Sequence, residues 1–298
     1  MKRKIYISGS LAYDRIMNYG GRFADHIDPK KIHVLSLSFA VEKLELNTGG
    51  IAGNIAYNLS LLGERPSVIG NLGTDGREYL DKLKKSGIDT RYVKISKKKV
   101  TAGAYTITDR ADNQITGFFA GAMYEPSLMP KQTKNDLALI GAEYPQNMVR
   151  LAGLCAKQKC FYIFDPAQQI PALTKNQLLA GQRGATVIIG NDYEIAIMVK
   201  KSGYQARKDQ AVITTLGEKG SKIYLAGKQI KIPPAKVRKV ADPTGAGDAY
   251  RAGLIKGLVL GYSYEQAGRL ASRVAAKAVE VYGTQNHKLN WNSIKKTS

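Results

Sequence analysis

The sequence predicts an α/β fold: a doubly wound, mainly parallel sheet with helices on both faces, plus a small β-sheet lid. Three observations carry this. Compact apolar runs, most of them without alternation, recur along the chain and fit strands buried on both faces. Helical patterns lie between or after them, the order expected of an open parallel sheet. Two inserted stretches, 15–48 and 101–121, instead alternate polar and apolar residues, as half-exposed strands do.

The core strands are expected at KIYIS (4–8), SVIGN (67–71), LALIG (137–141), FYIFD (161–165), TVIIG (186–190) and AVITT (211–215). The helices are expected at 53–63, 77–87, 147–159, 192–203, 248–261 and 265–283, where apolar residues recur with helical period. The inserts VLSLSFAVEKLEL (34–46) and TAGAYTITD (101–109) read as antiparallel strands. The division is therefore a core of 1–14, 49–100 and 122–298, and a lid of 15–48 and 101–121.

Composition bounds the function. With 298 residues, 44% hydrophobic, the chain can build one large α/β domain or two small ones. Ser8 and Ser10 interrupt the first apolar stretch, so it does not read as a signal peptide. The longest apolar candidate for a span, GLIKGLVLGY (253–262), contains Lys256. A cytoplasmic protein without membrane contact is expected. Cys155 and Cys160 fall in one helical stretch, LAGLCAKQKC (151–160), and read as reduced, structural thiols. The net charge of +21 is spread along the chain and accompanies no nucleic-acid-binding pattern; a solvated basic surface that attracts anionic ligands is the simpler reading.

Open α/β sheets bind ligands beyond the carboxyl ends of their strands. Polar residues recur there: Ser10 and Asp14 after the first strand, Asp165, Gln168 and Gln169 after FYIF, Asn191 and Glu194 after TVIIG, Thr215 to Gly220 after AVIT. Each alone is equally consistent with a helix cap or turn. The stretch DPTGAGDAY (242–250) says more. Gly245, Ala246 and Gly247 turn tightly into an apolar-periodic helix, whose first N–H groups suit an anion. Asp248 lies in its first turn. Capping by Thr244 would explain Asp248 but not both flanking glycines. An anion hole beside a carboxylate is what phosphoryl transfer to an alcohol needs: donors for the moving group and an acceptor for the hydroxyl proton. NTGGIAGN (47–54) lacks dinucleotide-binding spacing; its glycines allow close approach of a small polar ligand, with Asn54 presented from the next helix.

DPTGAGDAYRAG resembles the C-terminal motif of the ribokinase (PfkB) family of carbohydrate and nucleoside kinases. NTGGIAGNIAYNLSLLG is similar to the family's glycine pair and helix, NDYE to its N-x-x-E motif, and TTLGEKG to its nucleotide-site strand and turn. The match spans almost the whole chain in the family's order. Pro243 departs from it, standing where the family usually has Thr. ISGSLAYDRIM, GRFADHI, HVLSLSFAVEKLEL, GFFAGAM, DPAQQ and YGTQ look most like the bacterial adenosine kinases. That resemblance implies transfer of the ATP γ-phosphoryl group to the 5′-hydroxyl of adenosine, with Mg2+, and it admits a monovalent cation. It assigns Asp248 as base and Gly245, Ala246 and Gly247 as anion hole. Ser10, Asp14, Gly50, Asn54, Phe118, Gln168 and Gln169 fall to the nucleoside site, with Arg251 beside them. Asn191, Thr215, Gly217, Gly220, Gly245 and Gly247 fall to ATP, and Asn191 with Glu194 to Mg2+ through water. The aromatic expected in TAGAYT is replaced by Ala104, with Tyr105 adjacent. The resemblance also implies a homodimer joined through the lids, Ser38 reaching the partner's site. A different acceptor, such as ribose, a ketohexose phosphate or another nucleoside, is the alternative.

Overall fold

The computed structural model describes residues 3–34, 36–111 and 113–295. Thirteen strands are assigned among these: β1 (Ile5–Ser8), β2 (Ala12–Asn18), β3 (Lys43–Gly49), β4 (Ser67–Leu72), β5 (Asp89–Ile95), β6 (Ala102–Thr108), β7 (Gln114–Phe119), β8 (Leu137–Ile140), β9 (Phe161–Phe164), β10 (Val187–Asn191), β11 (Ala211–Thr215), β12 (Ser221–Leu225) and β13 (Lys228–Ile232). The helices are α1 (Ile51–Leu61), α2 (Arg77–Lys85), α3 (Pro145–Lys157), α4 (Lys175–Arg183), α5 (Asp192–Ser202), α6 (Ala246–Val259), α7 (Tyr264–Ala278) and α8 (Trp291–Lys295).

Nine strands form the large sheet in the order β13-β12-β11-β10-β9-β8-β1-β4-β5. All neighbours are parallel except β11–β12 and β12–β13. From β1 the chain builds outward to β4 and β5, then returns to β8 on β1's other side. The order therefore reverses at β1, and a crevice opens there beyond the carboxyl ends. Alternate residues of the buried strands feed two cores. Ile5, Ile7, Leu137 and Leu139 join Ile55, Tyr79 and Leu254 of α1, α2 and α6; Tyr6, Ala138 and Ile140 join Met148, Leu178 and Met198 of α3, α4 and α5. Both faces are covered, as unalternated apolar strands demand.

Five elements lie outside the sequence expectation: β5, β12, β13, α4 and α8. β5 carries Asp89, Arg91 and Lys94 because it is an edge strand, which charge protects from further pairing. The β12–β13 hairpin turns at Ala226 and Gly227, both with positive φ, without the Asn-Gly signal of such turns. α4 starts at a capping box, Thr174 with Gln177.

The lid is a four-stranded sheet, β3-β2-β6-β7. It corrects the sequence reading in three respects. It is mixed: β2 pairs antiparallel with β3 but parallel with β6, because the chain crosses core strands β4 and β5 before returning to it. Strand β2 starts at Ala12 rather than at 15, and β3 closes at Gly49 rather than at 48. The expected strand over 34–46 begins only at Lys43; Pro29–Val34 is a 3-10 turn, and Leu35 lies outside the described residues. Phe39 packs instead against Tyr19 and Phe23, with ring centroids 4.6 and 5.3 Å away, an aromatic cluster that replaces strand pairing. The two cysteines are also separated in structure: Cys155 is in α3, whereas Cys160 lies past its end, its thiol directed at the Asp136 carbonyl at 3.3 Å.

Candidate active site

The turn entering α6 is built by Asp242. Its Oδ1 accepts from the Thr244 N–H at 2.8 Å and its Oδ2 from the Gly283 N–H at 3.0 Å, tying this loop to the segment after α7. Pro243 carries the loop onward, and its carbonyl accepts the Ala246 N–H at 3.2 Å. Ala246 is thus engaged in the turn, whereas Gly245 and Gly247 make no such turn bond among the described residues. Gly245 has φ +79°, and a Cβ there would lie 2.9 Å from Thr284 Cγ2. Arg251, one turn into α6, donates from Nη2 to Asp165 Oδ1 at 2.6 Å, from Nε to Asp165 Oδ2, and from Nη1 to the Gly247 carbonyl at 3.1 Å. Both members of this ion pair are buried. Arg251 braces the turn through these bonds.

Asp248 follows the turn. Burial pushes its carboxyl up to about 6, while Arg251 and a hydrogen bond from Asn54 pull the other way. Asn54, on α1 and nearly fully buried, donates from Nδ2 to Asp248 Oδ2 at 2.8 Å. Its own Oδ1 accepts from Gln285 Nε2 at 2.9 Å. Gln285 carries no motif chemistry by itself, and its signal in the sequence is only its place in YGTQ.

Asp14 lies on β2, facing the same region. Burial first, and then the Asp242 charge, raise its carboxyl to about 6. Register places Asn47, Asp14, Ala104 and Phe118 in one cross-strand row, so they share a face of the lid. Phe118 is 52% exposed, so core packing does not account for it. Tyr105 points to the other face and receives the Arg15 guanidinium 4.9 Å over its ring. Gly49 and Gly50 each have a reason. A Cβ on Gly49 would meet Asp14 Oδ2 at 2.2 Å; one on Gly50, at φ +84°, would meet the Ser10 carbonyl at 2.5 Å. Ser10 is buried, and its Oγ accepts the Ile51 N–H at 3.1 Å, satisfying the start of α1. After β9, Gln168 is exposed; Gln169 is buried and accepts the Tyr124 hydroxyl at 3.2 Å. Ser38 is exposed in the lid.

Beyond β11 a cavity of about 360 Å³ is lined by Thr215, Gly217, Gly220, Ala246, Gly247 and Tyr250, with Ala275, Ala276 and Val279 of the α7 region adding apolar side chains. It gathers Thr215, Gly217, Gly220 and Gly247 of the nucleotide residues read from the sequence, next to the α6 turn. Asn191 and Glu194 form the capping box of α5: Asn191 Oδ1 accepts the Glu194 N–H, and Glu194 Oε2 accepts the Asn191 N–H, each at 2.8 Å. Among the described residues no cluster of three or more His, Cys, Asp or Glu could cage a metal. The Glu194 carboxylate with the neighbouring Asn191 amide suits a hydrated Mg2+ held mostly by phosphate oxygens.

An open parallel sheet, a glycine turn with a buried carboxylate, and an apolar cavity on one side of it define a phosphoryl-transfer site of the ribokinase-like class. The family described as pfkB family carbohydrate kinase matches residues 11–291, and the chain belongs to it. It is similar to the nucleoside kinase of Methanocaldococcus jannaschii, 32% identical over 98% of this chain and 95% of that protein. It is similar also to the ribokinase of Bacillus subtilis, 28% identical over 95% of each chain. The nucleoside kinase of Burkholderia thailandensis in complex with inosine matches with TM-score 0.84 and 36% identity, over 98% of this chain and 96% of that one.

Proposed function

We propose that this family member is an adenosine kinase, converting ATP and adenosine to ADP and AMP in purine salvage, with Asp248 as the base. The observation that carries the reading is the raised, Asn54-held carboxylate of Asp248 in the first turn of α6, directly after the glycine N–H groups. A carboxyl near 6 is ionised at neutral pH yet basic enough to take a hydroxyl proton as the bond to phosphorus forms. The Gly245 and Gly247 N–H groups face the charge on the transferring phosphoryl group, and the helix start adds its partial positive charge. Mg2+ bound with ATP neutralises phosphate charge there, Asn191 and Glu194 holding it through water. Asp14 accepts from the vicinal ribose hydroxyls, Phe118 stacks on the base, and Gln168 and Gln169 meet its edge. Closure of the lid excludes water from the transfer. The net charge of +21 draws anionic ATP toward the site.

The inosine complex of the Burkholderia relative favours a second reading, in which purine nucleosides are accepted broadly. The exposed amide of Gln168 can present either its donor or its acceptor, so it suits a 6-amino or a 6-oxo group. A panel of adenosine, inosine, guanosine, ribose and fructose 6-phosphate, each with ATP and Mg2+, separates these. Adenosine is expected to give the highest kcat/KM; phosphorylation of ribose without adenosine would overturn the nucleoside assignment. The exposed apolar residues of the lid support assembly into a homodimer through the lids.

A further inference from the structure

Behind Asp248 runs a continuous file of hydrogen bonds through three elements to α2. Asn54 Nδ2 donates to Asp248 Oδ2 at 2.8 Å, Gln285 Nε2 to Asn54 Oδ1 at 2.9 Å, Thr48 Oγ1 to Gln285 Oε1 at 2.9 Å, and Lys82 Nζ to Thr48 Oγ1 at 2.6 Å. Gln285 Nε2 also reaches the Tyr79 hydroxyl at 3.1 Å, and that hydroxyl donates to the Gly49 carbonyl at 2.6 Å. Asn54 and Gln285 are buried; Thr48 and Lys82 are half-buried.

The ends of this file are chemically unlike. An ammonium can only donate, and a carboxylate can only accept. Lys82 obliges the Thr48 hydroxyl to point its own proton at Gln285 Oε1. That turns the Gln285 amine toward Asn54 Oδ1, which in turn aims the Asn54 amine at Asp248. Each amide in the row could otherwise be flipped; with both ends set, one direction satisfies every member, and successive bonds polarise one another.

We propose that Lys82, through Thr48, Gln285 and Asn54, is a positioning residue that holds Asp248 Oδ2 as a hydrogen-bond acceptor and so leaves Oδ1 to take the substrate proton. By this account all four act through Asp248 and are positioning residues; Asn54 is the one that touches its carboxylate. The consequence is ordered proton acceptance. A proton arriving on Oδ2 would have to displace the Asn54 amine and reverse the file against the ammonium at its far end. The charge that orients the base thus sits outside the reaction centre and acts on the carboxylate only through the file.

The inference rests on Asp248 being the base, and the test separates the two. The groups facing Asp248 are Arg251 of its own helix, Asp165 after β9, Asp14 of β2 and Tyr79 of α2; Lys82 is faced by Glu78. The variants are Lys82→Met, Thr48→Val and Lys82→Arg, with Asp248→Asn as the reference. Each is checked for cooperative unfolding, and Thr48→Val, which keeps shape, guards against a packing effect at Lys82. The carboxyl titration of Asp248 is followed by 13C NMR in the free enzyme, assigned by its loss in Asp248→Asn, alongside kcat and both KM values at pH 6.5. Lys82→Met and Thr48→Val are expected to move the Asp248 midpoint upward and to lower kcat about three- to tenfold, as loss of one hydrogen bond implies, with KM for ATP unchanged. Lys82→Arg is expected to restore both. An unchanged midpoint in the folded Lys82→Met and Thr48→Val proteins overturns the proposal, whatever happens to kcat. Native turnover by Asp248→Asn would instead remove the base assignment, while a shifted midpoint would still uphold the file's hold on the carboxylate.

Discussion

At the scale of single residues, Asp248 has two opposite demands on it. As the proposed base it would act ionised, so kcat is expected to fall as pH drops through about 6 and to level off above it, measured with saturating substrates. For stability the sign reverses. Its folded-state carboxyl is raised above the unfolded value near 4, so its contribution to stability is fully present below about 4 and is lost as pH rises through about 6. Asp248→Asn is therefore expected to lower turnover by about 10²- to 10⁴-fold while unfolding at a higher temperature than the native protein at pH 7.5. Phe118 behaves differently, because its ring is largely exposed and contributes little to folding. Phe118→Ala is expected to raise KM for the nucleoside through loss of about 1–3 kcal/mol of stacking, with an unchanged melting temperature.

At the scale of elements, α6 has to carry Asp248 and also lie unusually close to α7. A Cβ on Gly253 would come within 2.6 Å of Ala271 Cα, and one on Gly257 within 2.7 Å of Ala267 Cα. The glycines on one helix and alanines on the other let the two backbones approach. Gly253→Ala gains helix propensity but drives a methyl into backbone that has no flexible end to give. The overpacking is expected to dominate, destabilising by about 1–3 kcal/mol in denaturant unfolding. Turnover falls with it, because the first turn of α6 moves with the helix. The same element explains why Arg251 is held by Asp165: a buried guanidinium needs a paired acceptor, and bidentate pairing also fixes the Gly247 carbonyl.

At the scale of the whole molecule, the lid divides its two faces between chemistry and apolar surface. Register puts Leu44, Leu46, Ile115 and Phe119 on the face opposite Asp14 and Phe118, and all four are exposed. An exposed apolar patch on a small sheet with two open edges is suited to a second copy of the same surface. Sedimentation is expected to show a dimer at micromolar concentration, and Leu44→Asp combined with Leu46→Asp to shift it to monomer; a native monomer would remove the lid-dimer reading. No helix among the described residues is long and apolar enough to cross a membrane.

Much of the fold was legible from local pattern. Unalternated runs such as TVIIG marked strands buried on both faces, and the glycines of TGAG marked a turn that frees backbone donors, with Asp248 just inside the following helix. These features depend on neighbours a few residues away, so sequence alone determines them. What joins distant segments was not legible. β2 pairs parallel with β6 across two core strands, Arg251 meets Asp165 across 86 positions, and Gln285 meets Asn54 across 231. Nor could the sequence say that Ala246 turns its N–H inward onto Pro243. Periodicity states which face of an element is apolar, but a buried polar atom takes whichever partner packing brings within reach. The sequence by itself determined the central strands of the large sheet and the glycine turn into α6, and it singled out Asp248 as the proposed base. Only the tertiary structure decided which groups orient that carboxylate, because their hydrogen bonds exist only once α1, α6, the lid and the segment after α7 are packed together.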